Sequence, residues 1–135
     1  MQATGHNLNT VLLDAPEAIY ILDHHGFVIG FNSLAGELFG AGKLSVGVCI
    51  SNLLTSTEKA DYEQTLNECI AQKSGLFSIE FKLERNGQTL VIEQRTKLIH
   101  ENGLPIRLVA SVRDITETFV NRKLFDRSEI GRAHV

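Results

Sequence analysis

The 135-residue chain contains no tryptophan, one methionine, two prolines and two cysteines. The two cysteines, Cys49 and Cys69, form no CxxC pair. Their scarcity suggests a reducing compartment, although a single bridge between them stays open. No apolar run approaches the roughly 20 residues that cross a bilayer. The opening residues, MQATGHNLNT, lack the basic and apolar regions of a signal peptide. A cytoplasmic location is therefore expected. A net charge of −3 and a pI near 5.9 supply no basic field for nucleic acid. Absent too are a GxxxxGK[ST] phosphate loop and any Ser-His-Asp arrangement that can be placed.

What is present is ordinary for one globular domain. Apolar residues make up 43% and charged residues 21% of the chain, and the length suits one core. Leu8, Val11 and Leu12 share a helical face that Pro16 stops. Ala18–Leu22 and Phe27–Phe31 are compact apolar runs that predict strands. The tetrapeptide Asp23-His24-His25-Gly26 between them predicts a hairpin turn. Ser33 is a candidate cap for a short helix through Leu34, Leu38 and Phe39, ended by Gly40 and Gly42. Residues 41–54 show no convincing period and predict loop with a short helical turn.

Thr55 and Glu58 match a capping box, after which Tyr62, Leu66, Cys69, Ile70 and Lys73 form one helical stripe, with Gly75 past its end. Cys69 is expected there as a small core residue. Phe77, Ile79, Phe81 and Leu83 alternate with polar residues, predicting a half-buried strand. Asn86-Gly87 predicts a hairpin, Gln88–His100 a longer strand, Asn102-Gly103 a second turn, and Pro105–Arg113 the last strand. The expected fold class is α+β: a five-stranded antiparallel sheet with helices inserted between strands two and three. A helix with Ile115, Phe119, Arg122 and Phe125 at three- and four-residue steps follows.

Within Gln88–His100, the parity of Leu90, Ile92 and Leu98 places Gln94 and Thr96 on their face, provided no bulge intervenes. Two hydrogen-bonding side chains would then point into an apolar interior; a water-exposed sheet end is the alternative. The opposite face carries Glu93, Arg95 and Lys97 beside Val91 and Ile99. With Val109, it is either a docking surface or a solvated face.

The strand–turn–strand Ile19–Val28, the helix opening Phe31-Asn32 with Ala35 and Leu38-Phe39-Gly40, and the closing Val112-Arg113-Asp114-Ile115-Thr116-Glu117 stand in one order. Together they resemble the PAS (Per-Arnt-Sim) sensor domains over roughly Leu8 to Glu117. The resemblance implies a cupped sheet whose helices enclose a small cavity. Asp23, Gly26 and Asn32 would carry the fold signature. Gln94 and Thr96, with Leu66, Ile70 and Phe81, would be the ligand-pocket candidates. It also implies a signalling helix leaving the sheet, with Asp114 and Thr116 as relay candidates.

Cofactors can be weighed on the same footing. Neither Cys49 nor Cys69 lies in the Asn-Cys-Arg-Phe-Leu context of covalent flavin sensors. Thr55–Ser74 contains no histidine to hold haem. Non-covalent flavin stays open, and the cofactor is unknown. Asp23-His24-His25 also resembles the metal motif of a family of phosphoesterases. Such a site needs further acidic and histidine ligands, and no second cluster accompanies it, so the turn is favoured and no metal is expected.

The chain is thus expected to comprise a cap segment (1–17), a sensor domain (18–117) and the start of a signalling helix (118–128). Residues 129–135, EIGRAHV, match an in-frame reading of a sequencing adapter and are expected not to be native. The expected function is a bacterial-type sensory and dimerisation input module. It would be homodimeric, would bind a small ligand or partner, and would feed an output domain outside this chain, a sensor histidine kinase in the first instance. A ligand-free dimerisation scaffold of a cyclic-dinucleotide enzyme or transcription regulator is the alternative. No catalytic residue is expected.

Overall fold

The computed structural model describes residues 16–102 and 104–122. The predicted cap helix, Phe125 and residues 129–135 lie outside them. Five strands, β1 (Ala18–Leu22), β2 (Val28–Phe31), β3 (Leu76–Arg85), β4 (Gln88–Glu101) and β5 (Leu104–Asp114), form one antiparallel sheet in the order β2-β1-β5-β4-β3. Between β2 and β3 come α1 (Ser33–Phe39), a 3-10 turn (Ile50–Leu53) and α2 (Ser56–Ala71). Residues 116–122 begin a further helix.

The core lies between the sheet and the two inserted helices. Tyr20 and Leu22 from β1, Ala35 and Phe39 from α1, Tyr62 and Leu66 from α2, and Ile79, Phe81 and Leu83 from β3 join one buried cluster. The period-two alternation of β3 is realised, with Ser78, Glu80, Lys82 and Glu84 exposed. In β4 the same parity holds without interruption from Leu90 to Leu98, because the β3–β4 register shows no slip.

The first hairpin is built by Asp23. Its Oδ1 accepts the backbone N–H of His25 at 2.9 Å and of Phe27 at 3.0 Å, while Gly26 takes φ 89°. A side chain there would need this left-handed backbone and would stand 3.3 Å from Leu66 Cδ2.

Several local expectations change. Asn32, not Ser33, caps α1: Asn32 Oδ1 accepts the Ala35 N–H at 3.0 Å. An amide serves both strand and helix here, which a hydroxyl on the next residue cannot reach. The Thr55–Glu58 box does not close, since Thr55 makes no side-chain cap bond. Glu58 instead accepts the outward N–H of Lys82 at 2.6 Å, satisfying part of the open edge of β3. The α2 stripe is narrower than its sequence period: Tyr62 and Leu66 are buried, Cys69 and Ile70 half-buried, and Lys73 exposed. The helix ends at Ala71, and Lys73 takes φ 57° outside it. Cys69 is thus no core residue, whereas Cys49 is buried; both thiols are free.

Candidate functional site

Gln94 and Thr96 sit in the middle of β4 with side chains 0% and 2% exposed. Gln94 is paired with Ile79 on one side and with Val112 on the other; Thr96 is paired with Ala110, which in turn pairs with Tyr20 of β1. Ala110 is the reason distant strands meet here. Its side chain is too small to separate its neighbours, so the Tyr20 ring passes over β5 and donates its hydroxyl proton to Gln94 Oε1 at 2.5 Å. From the helical side, Tyr62 of α2 donates to the same oxygen at 2.8 Å. Gln94 Nε2 completes the set by donating to Thr96 Oγ1 at 3.0 Å.

Four side chains from three elements thus form one polar island in an apolar interior. Phe81 packs edge-on against Tyr62 at 5.3 Å between centroids, and Phe39 lies 6.0 Å from Tyr20. Among the described residues no buried side-chain nitrogen or oxygen lacks a partner, which is the condition under which such an island is tolerated. Burial is the main reason that both phenols ionise well above their ordinary range. For Tyr20 the neighbouring Tyr62 adds to the rise; for Tyr62 the bond to Gln94 opposes it.

Of the pocket candidates, Gln94, Thr96, Phe81 and Leu66 are brought into this interior, and Ile70 lies half-buried at its margin. Tyr20 and Tyr62 were missed as polar residues and read only as apolar positions of a strand and a stripe. A signal existed: a tyrosine at a buried position brings a hydroxyl that needs a partner, and Gln94 was the inward-facing group able to supply it.

Beside the island runs a second chain of bonds. Ser51 Oγ donates to Glu63 Oε2 at 2.7 Å and lies 3.3 Å from Cys49 Sγ. With the serine proton committed to the carboxylate, the thiol is the donor to Ser51.

The exit from the sheet is equally specific. Asp114 Oδ1 accepts the Thr116 N–H at 2.9 Å and also the Thr116 hydroxyl proton. The freed lone pairs of Thr116 Oγ1 accept the Val91 N–H at 2.9 Å, and the Val91 carbonyl accepts the Ile115 N–H at 2.8 Å. Asp114 therefore aims Thr116, and Thr116 ties the start of the last helix to β4. Glu93, two residues along that strand, accepts from Arg113 at 2.8 Å. Farther out Arg122 reaches Glu80 of β3 at 3.5 Å. Asp114 and Thr116 meet each other but lie apart from the polar island.

The turn residues behave differently. Asp23 spends its carboxylate on its own backbone, and the rings of His24 and His25 lie 4.0 Å apart, tilted by 42°, at the exposed tip. Among the described residues no three His, Cys, Asp or Glu side chains are grouped to hold a metal. Asn32 is the third signature position. Its Oδ1 also accepts the Ile19 N–H at 3.0 Å, and its Nδ2 donates to the Glu17 carbonyl at 2.8 Å, fastening α1 to the start of β1.

A five-stranded sheet with its inserted helices on one face, a closed polar island and a helix start bonded to β4 define an α+β domain. The family model for the PAS fold matches residues 13–118. The chain belongs to the PAS family. No curated protein matches it. Among solved structures, it is similar to the PAS domain of BvgS from Bordetella pertussis, with a TM-score of 0.68 and 19% identity over 94% of this chain and 98% of that one. It is likewise similar to a sensory box histidine kinase/response regulator from Burkholderia thailandensis (TM-score 0.70, 14% identity, 96% of this chain and 99% of that one). The PAS domain of the RpfR quorum-sensing receptor from Cronobacter turicensis, solved in complex with BDSF, superimposes with a TM-score of 0.60 at 22% identity, over 76% of this chain and 96% of that one. No helix among the described residues is long and apolar enough to cross a membrane.

Proposed function

We propose that this chain is the sensory input module of a larger signal-transduction protein, a sensor histidine kinase in the first instance. It binds a small ligand or partner and relays its state through the helix that starts at residue 116. The observation that carries this reading is that one strand bears both the polar island and the bonds to the start of the exit helix. Gln94 receives two phenol protons inside, and Val91, with only Ile92 and Glu93 between them, holds Thr116 and Ile115 at the exit. A ligand that takes a hydrogen bond from Tyr20, Tyr62 or Gln94 must shift β4, and β4 is bonded to the helix start. The similarity to a histidine kinase sensory box and to a receptor PAS domain solved with a small molecule supports the same assignment. Helices leaving two copies side by side would make the working unit a homodimer, with the output domain following this chain.

The test is a small-molecule titration followed by NMR. A ligand that moves the Gln94 side-chain amide and the Val91 and Thr116 backbone signals with one midpoint supports the relay. Ligands that move Gln94 and leave Val91 and Thr116 unmoved would falsify it.

A second reading is a ligand-free dimerisation scaffold of a cyclic-dinucleotide enzyme or transcription regulator. It is favoured by the Gln94 bonds, in which both the amide oxygen and the amide nitrogen already have protein partners. A bare mass in native mass spectrometry together with a concentration-dependent dimer would select it.

A further inference from the structure

The two edges of the sheet, β2 and β3, are finished differently. Beside β2 runs the segment 47–50. Val28 donates to the Val48 carbonyl and accepts the Gly47 N–H, both at 2.8 Å, and Phe27 bridges to Cys49. Beside β3 the one substitute partner among the described residues is the Glu58 carboxylate at the Lys82 N–H.

Register fixes which groups of β3 are left over. The β3–β4 ladder runs without a slip from Leu76 opposite Lys97 to Arg85 opposite Gln88, and Leu98 donates to the Gly75 carbonyl just beyond it. Odd-numbered residues of β3 therefore exchange bonds with β4, and even-numbered residues turn their N–H and C=O out of the sheet. The Lys82 bond to Glu58 has that same parity. The outward backbone groups of Leu76, Ser78 and Glu80 have no partner among the described residues. Edges are ordinarily blunted by charge, proline or a bulge. Leu76-Phe77-Ser78 carries none of these, and Leu76 is 78% exposed.

We propose that this edge pairs with the same edge of a second copy, antiparallel, about a two-fold axis at Ser78. Self-pairing must set even residues opposite even residues, so that both strands exchange their outward bonds. An axis at Glu80 sets glutamate against glutamate, and one at Lys82 sets lysine against lysine. Axes at Ile79 or Phe81 both call on the Lys82 N–H, which Glu58 already holds. An axis at Phe77 leaves Glu80 unpaired. At Ser78 the three free residues are all used: serine stands opposite serine, and Leu76 opposite Glu80 on each side. On the helix-bearing face the half-buried Phe77 then meets Ile79 of the second copy, apolar against apolar.

This interface rests on the homodimer of the proposed function and says where its seam lies. The two-fold stands perpendicular to the joined sheet, so equivalent faces lie on the same side. Arg122 reaches Glu80, two residues from the axis. Both exit helices thus start beside the seam and on one face.

Sedimentation velocity of the whole chain over a concentration series tests the pairing without any ligand. A concentration-dependent dimer is expected, with Ser78 and Glu80 amide exchange slowing as concentration rises. Ser78→Pro removes an outward N–H and no bond to β4. Its circular dichroism should match the parent, while dimerisation weakens about tenfold or more because each copy loses a bond. In a Cys69→Ser background, Ser78→Cys should link two chains under mild oxidation, since an antiparallel bonded pair has a disulfide-compatible spacing. Glu84→Cys, far from the axis on the same strand, should not. A parent that stays monomeric throughout overturns the proposal. So does a dimer that Ser78→Pro leaves at full strength, or equal linking of the two cysteine variants. Amides of Ser78 and Glu80 protected equally at every concentration would overturn it too, placing a segment of the same chain on the edge. None of these results bears on the NMR titration of Gln94, Val91 and Thr116, which tests the relay separately.

Discussion

Thr116 and Val91, separated by 25 positions in the chain, are joined by a hydrogen bond of 2.9 Å in which a threonine hydroxyl oxygen replaces a strand partner. β5 stops pairing with β4 at Asp114, opposite Ile92. Without Thr116 the next N–H of β4 would face the beginning of a helix, which offers no carbonyl in that direction. The hydroxyl closes the ladder while letting the chain turn away.

Thr116→Val should therefore cost about 1–2 kcal/mol, the penalty of a part-buried N–H losing its acceptor. Urea denaturation gives the cost, and Val91 amide exchange should rise in the same variant. Thr116→Ser should restore both. A valine variant as stable as the parent, with serine the destabilised one, would show that only the methyl group matters.

Gln94→Leu should be more damaging, at about 2–4 kcal/mol, because it strands two buried phenol hydroxyls at once. Tyr62→Phe removes one of those hydroxyls, so the double variant Tyr62→Phe/Gln94→Leu should be less destabilised than the sum of the single changes. Simple additivity would mean that Gln94 contributes through packing alone.

The same island fixes a response to alkali. Both phenols are pushed up from an ordinary value of 10.0, chiefly by burial. Below about pH 10 folded and unfolded chains both hold these protons, and the island's full contribution is present. As pH climbs further, the unfolded chain releases protons that the folded chain keeps, so stability falls. The slope of unfolding free energy between about pH 9 and 11 should be shallower in the Tyr20→Phe/Tyr62→Phe variant than in the parent. Identical slopes would place the alkaline loss elsewhere.

Asn32 serves two elements, so its removal should exceed the cost of a simple cap. Asn32→Ala is expected to cost about 2–4 kcal/mol, combining a lost N-cap with an orphaned Ile19 N–H. Asn32→Asp retains the acceptor for Ile19 and Ala35 and loses only the donor to Glu17, so it should fall between alanine and the parent. Thermal unfolding of the three proteins ranks them, and an aspartate variant as unstable as alanine would point to the Glu17 bond as the dominant one.

Gly26→Ala combines a left-handed φ of 89° with a close approach to Leu66, and should cost about 1–2 kcal/mol. Its hairpin signals should shift while those of β4 and β5 stay in place. A neutral result in denaturation would mean that the turn relaxes into another conformation.

The sequence by itself determined the strands and their faces. Period-two alternation is local, so Phe77–Leu83 and Leu90–Leu98 were legible, and with them the inward aim of Gln94 and Thr96. The Asp23–Gly26 turn was legible for the same reason: a carboxylate bonding its own backbone and a glycine at positive φ are short-range chemistry. The order of elements, matched to a known family, supplied the sheet's overall form.

Tertiary structure alone decided the partners. Nothing local to Tyr20 announces that small Ala110 lets its ring cross β5, or that Tyr62 from α2 arrives at the same oxygen. The cap of α1 moved from Ser33 to Asn32 because Asn32 must also bond Ile19, a requirement set by pairing across 13 positions. Cys69 and Lys73 fit a helical stripe, yet α2 rests on the sheet along a narrower contact than its own period allows. Glu58 left its capping box for the open edge of β3. In each case a local preference worth about 1 kcal/mol gave way to a buried or edge group that had no other partner.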